Sequence, residues 1–384
     1  MVQGAISLSW VIYNFYLPKL LVQFGFPQSL AVSLLVAENA LAVLMEPLMG
    51  SLSDNNQRRF ASRFPFITVG VLLSSALFIA IPCVVTFVPP TTTLKLILPV
   101  VVVAWALAMT VFRSPVLSLL GRYAMPKSLP MAASVLTLIG GTIGSFRIAA
   151  NDLLLSLGPV VTFATGSFVL LGSAAILRFI HPPEMVSEEP QHRVAPSQPI
   201  SIPALGLIFV VGGSFAWGYR LLFDGVGKFL KLQPDNQNIQ LQMVIFGMAI
   251  AVAALPAGAI AKKIGNRNAM LFGIIAAIIF MLLLLVAGAN IIILAPLAIA
   301  ISFVLNGSIP FALEMVPSQR GGLGVGTYFG GVGLAMSIFG SVFTQPQAIT
   351  PQFAIFTGAI AFVITCGCII GSRFVDVLPS VTFR

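Results

Sequence analysis

Charge is what this sequence has least of. Of 384 residues only 8% are Asp, Glu, Lys or Arg, roughly a third of the ~25% found in soluble proteins. With 58% hydrophobic residues and a mean hydropathy of +1.02, a water-soluble globular domain and a disordered chain are both excluded. Histidine is nearly missing. His181 and His192 both fall in the one long polar stretch, so neither suits a proton relay inside a membrane. Cysteine is scarce too: Cys83, Cys366 and Cys368 lie in apolar runs, and Cys-Gly-Cys lacks the spacing and companions of a metal site. They read as packing residues, and no cofactor or metal is expected. No Ser/His/Asp set marks an enzyme. Short segments of alternating polarity are absent as well, which excludes a transmembrane barrel.

What remains is a series of apolar segments of about 20 residues with short polar turns between them. These must be helices, because a lipid-exposed backbone has to satisfy its own hydrogen bonds. The pattern predicts an all-α polytopic membrane protein with helices near 3–24, 28–50, 65–88, 94–118, 131–151 and 158–180, then 204–227, 239–260, 268–289, 291–315, 321–343 and 351–373. That is six and six. Residues 181–202, rich in proline and acidic side chains, read as a cytoplasmic linker between bundles at 1–180 and 203–384. The first segment begins almost at Met1 without a basic stretch, so it is expected to stay as the first helix.

The stretch from Glu46 to Phe66, EPLMGSLSDNNQRRFASRFPF, reads as a turn at the membrane surface. Gly50 and Ser51 let helix ends approach, and Asp54 is placed to cap the amides at the start of the following turn. A weaker copy runs from Leu255 to Gly273, with Gly50 falling on Gly258, Asp54 on Lys262 and Arg59 on Arg267. Trp10 likewise falls on Trp217, and the Pro126 to Gly144 region resembles Pro317 to Ala335. The chain therefore reads as two related halves.

Basic residues set the orientation. Thirteen, among them Arg58, Arg59, Arg63, Lys127, Lys262 and Arg267, fall on one side, against six on the other: Lys19, Lys95, Arg147, Arg220, Lys228 and Lys231. By the positive-inside rule both termini are cytoplasmic, in a cell (inner) membrane. The formal net charge of +9 then reflects topology and attraction to anionic lipid headgroups, with no nucleic acid as partner.

An ionised side chain at mid-bilayer costs about 2.5–3.5 kcal/mol on insertion scales, so each one kept there is a functional candidate. Arg113, followed by Ser114 and Pro115, can hold a carboxylate or several hydroxyls in its planar fork; the plainer alternative is that it snorkels to the cytoplasmic surface. Arg147 shares a helical face with Gly140, Gly144 and Asn151 and points to a cavity, or pairs with Asp152. Glu38, beside Asn39, is the proton-carrying candidate, or makes a structural hydrogen bond. Glu46 and Glu314, near the cytoplasmic ends, read as gate or turn contacts. Arg220 and Asp224, at i and i+4, form an expected ion pair. Tyr13 and Asn14, with Trp10, share a face of the first helix and Trp217 decorates the seventh; such rings suit sugar faces, or anchor at the interface. Gly322, Gly326 and Gly330, and Gly140 with Gly144, allow close helix packing.

Parallel six-helix repeats describe the major facilitator architecture. Within it, GSLSDNNQRRFASRFPFI resembles the signature of the sucrose transporter and glycoside/cation symporter branch: Gly50, Ser53, Asp54, Arg63, Pro65, Phe66 and Ile67 coincide with it. RSPVLSLLGRY resembles that group's second signature, with Arg113 in the arginine's place. Gly121 and Arg122 stand where the group has Ala-Asp, so an acidic partner for proton coupling is absent there. The resemblance implies a substrate-binding role for Arg113, a gating role for Gly50, Asp54, Arg59 and Arg63, and symport of a sugar or glycoside with a proton. Two rival readings are proton-coupled efflux of amphipathic compounds and a non-transporting pigment-delivery or assembly protein on the same fold. The expected partners are a small-molecule substrate, a coupling proton and lipid.

Overall fold

The computed structural model describes residues 1–60, 62–91, 94–147, 151–180, 200–233, 238–343 and 349–375; the side chains of 59, 60, 94 and 151–153 are outside that description. The greater part of the 181–202 linker therefore lies outside the described residues. Among the described residues, twelve helices are long and apolar enough to cross a membrane. In the first half they are α1 (Val2–Gln23), α2 (Ser29–Phe60), α3 (Phe64–Phe87), α4 (Ile97–Ser118), α5 (Leu129–Phe146) and α6 (Asn151–Ile180). In the second they are α7 (Ile202–Lys231), α8 (Ile239–Ile264), α9 (Asn266–Ala287), α10 (Ile291–Glu314), α11 (Gly321–Val342) and α12 (Pro351–Gly371).

Several starts follow local rules. Ser201, Asn290 and Thr350 each accept a bond from a first-turn amide of α7, α10 and α12, satisfying donors the helix cannot. One end does not follow the sequence reading. The expected turn after residue 50 is helical to Phe60, so Gly50 and Asp54 belong to α2 itself. Past Pro47 nothing in SLSDNNQRRF breaks a helix.

Each half has its own core. In the first, Tyr13, Trp105, Phe78 and Phe163 are buried and in ring contact, with centroids 4.3 Å apart for Tyr13 and Trp105 and 4.4 Å for Phe78 and Phe163. In the second, Met270, Ile274, Met281 and Phe362 are fully buried. The halves meet chiefly through α2 against α11 and α5 against α8, with smaller contacts from α4 to α11 and α5 to α10. Lipid offers no hydrophobic drive for this, so small residues supply close approach. A Cβ on Gly326 would run into the Glu46 carbonyl and one on Gly50 into that of Gly322. The α2–α11 seam continues through Val43 and Asn39 to Val36, whose carbonyl accepts the Ser337 hydroxyl at 3.1 Å.

Candidate functional site

Three carboxylates ride on α2 eight positions apart, Glu38, Glu46 and Asp54, which at 1.5 Å per residue separates neighbours by about 12 Å. Each has a different partner.

Asp54 is 0% exposed. Its Oδ1 accepts the Gly322 amide at 2.9 Å and its Oδ2 the Leu323 amide at 2.8 Å, so a residue of the first half caps the start of α11 in the second. The sequence reading had it cap the turn that follows. Two donors left over at a helix start, together with the positive end of its dipole, make that position suited to an anion. Arg63 adds an ion pair to Oδ1 at 2.5 Å and donates to Gln57 and to the Ser118 hydroxyl on α4. Burial holds the Arg63 guanidinium below its ordinary range, and Asp54 opposes that shift. Arg320 reaches Asn55 at 3.3 Å beside this lock. The Arg59 side chain lies outside the described residues.

One step toward the centre, Arg113 pairs with Glu46 at 2.5 Å, where Glu46 is 0% and Arg113 19% exposed. Ser114 donates to the second oxygen of Glu46, and the Arg113 guanidinium lies 4.3 Å over the ring of Phe329 on α11. Glu46, expected as a gate or turn contact, is thus the counter-ion of Arg113. Arg113 has no need to snorkel, because its counter-ion lies beside it inside the protein. Its Nε is buried without a hydrogen-bond partner.

Glu38 accepts from the Tyr13 hydroxyl with one oxygen, while the other is buried without a partner. Tyr13 is fully buried beneath Trp105 and Trp10, and its hydroxyl holds Glu38. Asn14 is half-buried and donates to the Trp10 carbonyl at 2.7 Å within α1.

The remaining candidates lie elsewhere. Trp217 packs on Phe339 at 5.6 Å and Phe343 at 6.1 Å, in an apolar cluster with Leu221 and Ala354, away from Arg113. Asp224 pairs with Lys228 at 2.9 Å and not with Arg220, which sits 5.2 Å over the Phe339 ring instead. An acid four residues before a lysine is the favoured order on a helix, and a preceding arginine is not. Arg147 ends α5 and is exposed. Asn151 opens α6 instead of extending the Arg147 face, and the Asp152 side chain lies outside the described residues. Glu46, Ser114, Phe329 and Lys228 were missed as partners. For Lys228 the signal was present in its spacing from Asp224.

No family model matches the chain, and no curated protein matches it in sequence. Solved structures do match its fold. A bacterial homologue of the iron transporter ferroportin, in an outward-facing state, superposes with a TM-score of 0.70 at 14% identity, over 97% of this chain and 98% of that one. The major facilitator superfamily proton:xylose symporter XylE, bound to 6-bromo-6-deoxy-D-glucose, gives 0.68 at 14% identity over 95% and 92%. The human organic anion transporter MFSD10 gives 0.61 at 16% identity over 96% and 97%. The twelve-helix fold of this chain is that of major facilitator transporters.

Proposed function

We propose that the chain is a secondary transporter that moves a small polar solute, a sugar or glycoside, together with a proton by rocking residues 1–180 against 203–384. The Asp54 face is taken as cytoplasmic, from the distribution of basic residues. The observation that carries the reading is the Arg113–Glu46 pair, held at the seam with Glu46 buried and the Arg113 side chain partly exposed. A cation preorganised by its own counter-ion suits the oxygens of a hydroxylated ligand. Glu38 lies deeper on the same helix and has one oxygen without a partner, which fits a proton-carrying role. The Asp54 contact to α11 supports a gate that must break for the opposite state to form.

A second reading, transport of an organic anion, is favoured by Arg147 and Arg220. Both are exposed, Arg220 is near enough to act on the charge of Arg147, and neither has an acidic partner among the described residues.

Ligand-induced thermal stabilisation of purified protein, across a panel of sugars, glycosides and organic anions, tests these readings without requiring turnover. A sugar that stabilises wild type is expected to bind Arg113→Lys at least tenfold more weakly, because an ammonium lacks the fork. Stabilisation by anions alone, lost in Arg220→Gln, would replace the first reading by the second.

A further inference from the structure

Between the two halves, on the Asp54 face, lies a cavity of about 610 Å³ that the transport reading does not use. Lys127, from the first half just ahead of α5, lines it on one side. Lys262 at the end of α8, Arg267 in α9 and Arg373 after α12 line it on the other. Four cations thus face one carboxylate, that of Glu314.

Arg267 and Arg373 are braced in place, Arg267 to the Ser372 carbonyl at 3.1 Å and Arg373 to Asn268 at 2.5 Å. Lys127 and Lys262 are exposed and have no acidic partner among the described residues. The first turn of α9 also opens at the cavity, and no side chain caps it. A helix start surrounded by cations favours an anion.

The internal repeat relates this cavity to the Asp54 contact. Gly50 and Asp54 stand four residues apart on α2, as Gly258 and Lys262 do on α8. Gly50 is pressed on the α11 backbone at Gly322, and Gly258 on α5 at Ser134 and the Pro130 carbonyl. The two seams therefore match. In one, a carboxylate joins the halves. In the other, an ammonium stands at the matching position, with a second one on the far side of the cavity. We infer that this cavity binds a phosphate group, from an anionic phospholipid headgroup or from free hydrogen phosphate. Bound there, it joins the halves as Asp54 does in the other seam and favours the state in which this face is closed.

The test is thermal melting of the purified full chain in neutral detergent. Hydrogen phosphate would be compared with chloride at matched ionic strength, and phosphatidylglycerol with phosphatidylcholine in mixed micelles. Wild type is expected to gain several degrees with phosphatidylglycerol, and a gain with hydrogen phosphate as well would identify the free anion as a second source. The Lys127→Gln/Lys262→Gln double variant should melt near wild type without ligand and gain little from either. Lys262→Asp supplies the anion internally, so it should melt higher than wild type without ligand and lose the response. No response in wild type would overturn the inference. So would a Lys262→Asp protein that melts with wild type and keeps its full response.

Discussion

Asp54 and Gly322 lie 268 positions apart in sequence and 2.9 Å apart in space, carboxylate oxygen to amide nitrogen. The bond joins the two halves end to end, and the neighbouring Leu323 amide doubles it. A hydrogen bond to a charged group contributes about 1.5–3 kcal/mol, so in the proposed transport cycle this contact biases the two states by one to several orders of magnitude. Asp54→Asn keeps the shape and loses the charge. Transport is expected to fall at least tenfold while expression and the elution profile stay those of wild type; unchanged transport would remove the gate.

The α2–α11 seam depends on missing side chains. Gly326→Val inserts carbon where the Glu46 carbonyl already lies, so the halves cannot close on the Asp54 face. Spin labels on the two halves at that face should report a wider distance in Gly326→Val than in wild type. Identical distance distributions would show that the seam tolerates bulk.

Glu46 neutralises Arg113, and removing one partner of a buried pair costs about 3–5 kcal/mol because the other charge is stranded. Glu46→Gln should therefore melt well below wild type, whereas Glu46→Leu/Arg113→Met should recover much of that stability without recovering ligand binding. A double variant that still binds would free Arg113 of its assigned role.

Much of the architecture was legible from charge scarcity and segment length, because lipid leaves the backbone so few options. The repeat was legible too, through Gly50 and Gly258. What could not be read was pairing between helices. Glu46 and Arg113 are 67 positions apart, and nothing in either segment says that α2 and α4 turn those faces together. Asp54 was recognised as a capping residue, yet its target lies across the molecule, where no local spacing points. At Asp224 the information was present, since Lys228 follows it in the better helical order and Arg220 precedes it.

Orientation rests on the basic residues and is open to direct labelling. In a variant without the native cysteines, Met125→Cys, between α4 and α5, should react with an impermeant maleimide only after permeabilisation. Leu232→Cys, at the end of α7, should react in intact cells; both side chains are exposed. The reverse pattern would place the Asp54 face outside.

Uptake into proteoliposomes tests the central claim most directly. With labelled sugars and glycosides outside and an acidic exterior imposed, at least one is expected to accumulate above its outside concentration. Accumulation should collapse when the pH gradient is dissipated. In Glu38→Gln it should be lost, while exchange of labelled for unlabelled substrate persists. If no sugar or glycoside accumulates under any gradient, or if Glu38→Gln accumulates one as well as wild type does, proton-coupled symport through this site is contradicted.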